Sequence, residues 1–318
     1  MLCLVVNPII DRHIHTESVV LGTVTRSKRD TSLPGGKPVD VARAARAVGV
    51  TARLLALLPE QGSNWFLAAL AEEGSDCQSV GYEGTVRQTI VLFEEDGRTT
   101  VINGQGAPVP PETWQHYCRQ AAAMTGPGEW VVISGSFPPG LNQVQTGQLV
   151  TAIRHAGGRI ALDTGPTWLS WLLAHEPDLV TPNLAEANAC LTGQTVVEAV
   201  EVSAEALPQA ALAAIQLTQA GAKRAVVTAG RAGLAWSEPG RHGQLDGLEV
   251  DVASPIGAGD ALLGGLVGRL ESGAAFTDAI NWGMAAAASA IGQWIPGQAD
   301  PASTQRWHRA IVQRVATF

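Results

Sequence analysis

The chain has 318 residues, 46% of them hydrophobic and 16% charged, which allows a large buried core and excludes a disordered chain. A formal net charge of −8 argues against a nucleic-acid binder, which needs a basic face, but leaves anionic small substrates open. The four cysteines (Cys3, Cys77, Cys118, Cys190) form no C-x-x-C pair, the start MLCLVVNPIID lacks the charged region of a signal peptide, and no apolar run reaches membrane-spanning length. The expectation is a cytoplasmic protein with reduced thiols, no zinc site, and no membrane or nucleic-acid partner.

In chain order, residues 2–6 (LCLVV) read as a buried strand ending at Asn7-Pro8. Residues 39–48 have helical spacing and stop at Gly49; residues 53–58 read as a strand and 62–73 as a helix ending at Gly74. Residues 130–133, 159–162, 178–181 and 224–228 are short strands, each followed by a loop and a helical pattern. That alternation predicts a mostly parallel, doubly wound sheet with helices on both faces. Residues 12–33 and 82–103 alternate polar and apolar side chains, and Asp96-Gly97 is a hairpin signal. These two segments predict antiparallel strands forming one small sheet, a lid over the carboxyl edge of a single α/β domain spanning 1–318.

Pro255-Ile256-Gly257-Ala258-Gly259-Asp260 followed by ALLGGLVGRL puts a glycine turn and a carboxylate at a helix N-terminus. Free N–H groups at Gly257, Ala258 and Gly259 suit an anion, and Asp260 could take the proton of an attacking hydroxyl. The helix dipole should favour the ionised form of Asp260 and so make it a weak base. A plain glycine turn with Asp260 as helix cap explains the same residues. Leu262 occupies the place of a third glycine, so a dinucleotide fingerprint is excluded, and no P-loop occurs.

Gly35-Gly36-Lys37 before a helix permits close ligand approach and supplies a charge for phosphate, or is simply a loop-to-helix turn. Arg26, Lys28, Arg29 and Lys37 form a local basic patch, either a phosphate holder or a solvated loop. Asn183 and Glu186 share the face of a first helical turn, where they suit a hydrated Mg²⁺ and equally suit a capping box. His13 and His15 read as surface residues of a lid strand. Asp163 lies at the carboxyl edge as either a site residue or a turn cap.

Gly-Gly-Lys before a helix, Asn-x-x-Glu in mid-chain and Gly-Ala-Gly-Asp near the end stand in the order of the ribokinase-like (pfkB-type) carbohydrate kinases, which the chain resembles across nearly its whole length. Asn7-Pro8-Ile9-Ile10-Asp11 and Ser134-Gly135-Ser136-Phe137-Pro138-Pro139-Gly140 resemble the phosphofructokinase and tagatose-6-phosphate kinase branch. The resemblance implies a ribokinase-like three-layer sandwich with a β lid. It also implies transfer of the ATP γ-phosphoryl group to a hydroxyl of a phosphorylated ketohexose. Asp260 would be the base; Asp11, Arg26, Gly36, Lys37, Asp40, Arg87 and Ser136 would hold the sugar phosphate. Thr228, Gly230 and Gly233 would touch the nucleotide, with Asn183 and Glu186 organising Mg²⁺ through water. Pairing of exposed lid edges would join a homodimer.

The chain departs from the family's pattern at Pro38, at Asp40 (an Asn in the family), at Thr181 (a Lys in the branch) and at Pro255-Ile256. Asp40 is expected to face donating sugar hydroxyls and to pair with Lys37. The rival readings are a kinase of an unphosphorylated sugar or nucleoside, and a catalytically silent sugar and nucleotide sensor.

Overall fold

The structure is a computed structural model that describes residues 1–194, 205–254 and 256–315. The chain opens with β1 (Leu2–Val5), β2 (Ile9–Thr16), β3 (Arg29–Gly35) and α1 (Lys37–Arg46). There follow β4 (Arg53–Gln61), α2 (Ser63–Glu72), β5 (Asp76–Thr85), β6 (Arg87–Glu94) and β7 (Thr99–Asn103). Next come α3 (Pro111–Met124), β8 (Trp130–Ser134), α4 (Gln143–His155), β9 (Arg159–Asp163), α5 (Pro166–Leu172), β10 (Leu179–Val180) and α6 (Leu184–Thr192). The last elements are α7 (Ala206–Gln219), β11 (Ala225–Thr228), β12 (Gly233–Glu238), β13 (Arg241–Asp246), α8 (Ala258–Glu271), α9 (Phe276–Ile291) and α10 (Pro301–Val315).

Among the described residues, nine strands form one sheet in the order β13-β12-β11-β10-β9-β8-β1-β4-β5, parallel from β11 to β5 with an antiparallel edge at β12 and β13. Strand side chains alternate between two cores, as a period of two requires. Leu2, Leu4, Val131 and Ile133 pack under α3, α4, α5 and α7, whereas Cys3, Val5, Trp130 and Val132 pack under α1, α2, α8 and α9. This is the three-layer α/β sandwich expected.

Four further strands form a separate sheet in the order β3-β2-β6-β7. Its hairpins are antiparallel, but the central β2–β6 pair is parallel, which the expectation of antiparallel strands missed. Periodicity shows which residues share a face, and it does not show the direction of a distant partner strand. The second lid segment starts at Arg87 rather than at residue 82, because β5 continues to Thr85 along the core sheet. The first begins already at Ile9. No described helix is long and apolar enough to cross a membrane.

Candidate active site

Parallel strands deliver their carboxyl ends to one edge: Asn7 after β1, Ser136 after β8, Asp163 ending β9, Thr181 after β10 and Thr228 ending β11. Asp260 is the third residue of α8 and only 7% exposed. Its Oδ1 is buried and has no hydrogen-bond partner among the described residues. The helix has no side-chain cap, so the capping explanation of Asp260 does not hold.

The cap residue is Gly257, at φ 81°, whose carbonyl accepts the Ala261 amide at 2.8 Å. A side chain there would strike Gly297 N at 2.8 Å and the Pro296 ring. The amides of Ala258, Gly259 and Asp260 precede the first intrahelical hydrogen bond and so have no partner within the helix. A Cβ at Gly259 would meet no atom of the described residues within 4 Å, so among them that face of the turn is open. Pro255 lies outside the described residues.

Burial pushes the Asp260 carboxyl well above its usual range; Lys37 opposes the rise, and Asp40, Asp163 and Glu186 add to it. This direction is opposite to the acidification expected of the helix dipole: loss of water, with three neighbouring carboxylates, raises the pKa. Lys37 Nζ stands 3.2 Å from Asp163 Oδ2. Burial opposes its charge, but Asp163, Asp260 and Glu186 together raise its pKa. Lys37 is thus a permanent cation in the middle of the carboxylates. It pairs with Asp163 and not, as expected, with Asp40.

Asp40 pairs instead with Arg43, Oδ1 to Nη1 at 2.7 Å, one turn further along α1. Arg43 also binds Glu73 at 2.7 Å, the Pro34 carbonyl at 2.6 Å and the Pro296 carbonyl at 3.4 Å. Burial pushes Asp40 up to about 7, against the pull of Arg43 and with help from Asp11 and Glu73. Pro38 sits in the first turn of α1, where its missing N–H costs nothing. Gly36 caps this helix at φ 110°, where a Cβ would lie 4.0 Å from the Asn7 carbonyl oxygen.

Asp11 lies over Gly35: a Cβ on that glycine would fall 1.8 Å from Asp11 Oδ2, so only glycine fits. Burial pushes Asp11 up to about 6, opposed by Arg43, Arg87 and Thr89. Arg87, on the neighbouring strand, reaches the Asn7 carbonyl at 3.1 Å and that of Gly104 at 3.5 Å. The Asn7 amide donates to Ser136 Oγ at 3.2 Å. Asp11, Arg87, Asn7 and Ser136 thereby line one end of the edge, with Lys37 and Asp260 at its centre.

At the other end, Asn183 Oδ1 accepts the Glu186 amide at 2.8 Å and Glu186 Oε2 accepts the Asn183 amide at 3.0 Å, a complete capping box. Thr228 bridges to Asn183, and its amide donates to the Pro182 carbonyl at 3.2 Å. Thr181 Oγ1 is buried without a partner among the described residues. Gly230, at φ 57°, leaves its side open among the described residues. Gly233 has a backbone reason instead: a Cβ would fall 2.0 Å from the Leu245 carbonyl on β13.

Arg26 is not brought to this edge. It is exposed in the loop after β2, where its carbonyl meets Thr16 Oγ1, five residues beyond Asp11 and so roughly 16 Å along the strand. The histidines are corrected too: His13 is buried, and His15 stacks on Phe93 at 4.8 Å. Sequence reasoning missed Arg43, whose role needs Pro34, Glu73 and Pro296 in place, and left Asp163 undecided. The three-residue spacing of Asp40 and Arg43 was the available signal.

The sequence matches the family described as pfkB family carbohydrate kinase over residues 2–300. It is 25% identical over 285 residues to a 1-phosphofructokinase of Haemophilus influenzae, covering 89% of this chain and 88% of that one. It is 29% identical over 262 residues to the ATP-dependent 6-phosphofructokinase isozyme 2 of Escherichia coli, covering 81% of each. A crystal structure of the Escherichia coli phosphofructokinase-2 in complex with fructose-6-phosphate superposes with a TM-score of 0.87 at 24% identity, covering 98% of this chain and 99% of that one. The chain belongs to the pfkB family of carbohydrate kinases. It is an ATP-using phosphotransferase with an alcohol acceptor.

Proposed function

We propose that the protein transfers the γ-phosphoryl group of ATP to a hydroxyl of a phosphorylated ketohexose, with Asp260 as base. The observation that carries this reading is the buried, unpartnered Asp260 Oδ1 beside the open first-turn amides of α8. Relatives named as 1-phosphofructokinase and 6-phosphofructokinase support the substrate class.

Asp260 Oδ1 accepts the proton of the attacking hydroxyl, and its raised pKa makes it a better base than a solvated aspartate. The amides of Ala258, Gly259 and Asp260 hold the charge of the transferring phosphoryl oxygens, with Lys37 beside them. Asp11 accepts hydrogen bonds from sugar hydroxyls. Arg87 and Ser136 face the sugar's own phosphate. Gly36 keeps the backbone close to the sugar, and Asp40 sets its polarity through Arg43. Thr228 and Gly230 border the nucleotide.

The carboxylate of Glu186 and the amide oxygen of Asn183 are hard donors fitting Mg²⁺, and their capping hydrogen bonds leave water as the direct ligand. Mg²⁺ supplies charge neutralisation between the phosphates of ATP. The lid's outer face carries Ile14, Leu92, Val20 and Leu21 around a concavity of about 400 Å³. This face suits a second copy of the chain, giving a homodimer through the lids.

A second reading, an unphosphorylated sugar as acceptor, is favoured by one observation. Of the three cations expected at the sugar phosphate, Arg26 is remote and Lys37 is paired with Asp163, leaving Arg87. Turnover with ATP and Mg²⁺ across hexose phosphates, hexoses and nucleosides decides the matter. Highest kcat/KM on a ketohexose phosphate supports the proposal, and preference for a free hexose or nucleoside replaces it.

A further inference from the structure

Residues 292–300 form an arch clamped at both ends by α9. The Gln293 amide donates to the Ala290 carbonyl at 2.9 Å, and the Asp300 amide donates to Ser289 Oγ at 3.0 Å. Trp294, near the middle of the arch, is 55% exposed, yet its ring meets two lid side chains edge-on. Its centroid lies 5.8 Å from His15 on β2 and 6.0 Å from Phe93 on β6, which stack on each other. Such edge-to-face pairs are attractive and directional.

Two residues on, the arch leaves the lid and rests on the catalytic turn. Pro296 and Gly297 are buried against Gly257, where a Cβ would stand 2.8 Å from Gly297 N. Gly297, at φ 71°, also lies on the backbone of Asp40 so closely that its own Cβ would fall 2.3 Å from the Asp40 carbonyl oxygen. Arg43 donates to the Pro296 carbonyl and also to that of Pro34, at the foot of lid strand β3. The arch therefore touches the lid at Trp294 and the cap of α8 at Pro296–Gly297. Packed atoms without free volume transmit displacement from one contact to the other.

We propose that Trp294 is a positioning residue: docked on His15 and Phe93, it seats Pro296–Gly297 on Gly257 and so holds the anion-binding turn of α8 in register with Asp260. Its ring contacts are with the lid, and it acts on the base and the amides through the arch. The proposal rests on the reading of that turn as the phosphoryl-transfer site, and it adds a link from the lid to the chemistry that the catalytic residues alone do not contain.

The test is a cycle of Trp294→Ala, His15→Ala and the double variant, with Trp294→Phe as the conservative control. A phosphoryl group displaced by a fraction of an ångström to 1 Å loses about ten- to a hundredfold in rate, so each alanine variant should lose kcat in that range. KM for ATP should stay within about twofold, because ground-state binding is not what the turn supplies. Trp294→Phe should recover most of the loss. The double variant should be no slower than the slower single one, because both remove the same contact.

Hydrogen exchange provides the second readout. The Ala261 amide, bonded to Gly257, should exchange faster in both single variants, while amides of α3 remain unchanged. Additive kcat losses, a raised KM with intact kcat, or unchanged exchange at Ala261 would each overturn the proposal. If the wild-type protein turns over no sugar at all, the functional reading fails. The exchange measurement then still decides the coupling.

Discussion

The Lys37 ammonium lies 3.2 Å from Asp163 Oδ2, joining the first residue of α1 to the last residue of β9 across the carboxyl edge of the sheet. The same ammonium is what opposes the rise in the Asp260 pKa. A base works only when deprotonated, so activity should fall as pH drops through the Asp260 pKa. Lys37→Met removes the opposing charge, and the acid limb of the kcat profile should move to higher pH. Asp163→Asn removes a carboxylate that raises the pKa, and should move the limb lower. Limbs that stay in place in both variants would separate Lys37 and Asp163 from the base.

Arg43 is the buried partner of Asp40 and Glu73 and the donor to two carbonyls on different segments. Arg43→Met leaves those carboxylates and carbonyls unsatisfied and should cost about 3–5 kcal/mol, as removing one partner of a buried ion pair does. Denaturant unfolding measures this. A loss under about 1 kcal/mol would mean that the network relaxes into water.

Asp40 and Asp11 are held above the usual carboxylate range by burial, at about 7 and about 6. Each is therefore more favourably accommodated when protonated, and stability from them is fully present below about pH 4. That contribution is lost as pH rises through about 6 and then 7. Asp40→Asn removes one such titration, so its Tm should decline less than that of the wild-type protein between pH 4 and 8. Parallel Tm curves would show that Asp40 does not titrate there. The same variant should change the rank order of kcat/KM across fructose-1-phosphate, fructose-6-phosphate and tagatose-6-phosphate if Asp40 sets the sugar's polarity. An unchanged order removes it as a specificity determinant.

Arg87 and Arg26 part company. Arg87 borders Asp11, and Arg87→Ala should raise KM for the sugar phosphate by about tenfold or more, with KM for ATP little changed, as loss of a charge-assisted hydrogen bond implies. Arg26 stands at the far end of β2, so Arg26→Ala should leave KM unchanged in a species that sediments as a monomer. An effect on the sugar KM there would contradict its placement, and an effect confined to the dimer would show that it serves the partner's site.

What the sequence disclosed follows from the range of the interactions involved. The continuous apolar run of β1 and the glycine turn before Asp260 are local, and they read directly as a buried strand and an anion-binding helix start. The Asn183–Glu186 box was legible for the same reason, since both partners lie within one helical turn. Arg43 was not, because two of its four partners, Glu73 and Pro296, come from distant segments. His13 and His15 carry the polarity of a surface strand, and only the fold brings β6 and Trp294 onto them. The rise of the Asp260 pKa comes first from its burial in the folded chain and then from Asp40, Asp163 and Glu186, which arrive from other elements. The parallel β2–β6 pairing likewise depends on a long connection that passes through β4 and β5 of the core sheet.

The central claim is that Asp260 takes the proton of the acceptor hydroxyl. Turnover and ATP binding of Asp260→Asn test it most directly, because the amide keeps the shape of the side chain and loses the base. The account predicts a kcat lower by about 10²–10⁴ with ATP affinity nearly intact. An Asn variant that turns over at close to the wild-type rate would contradict it.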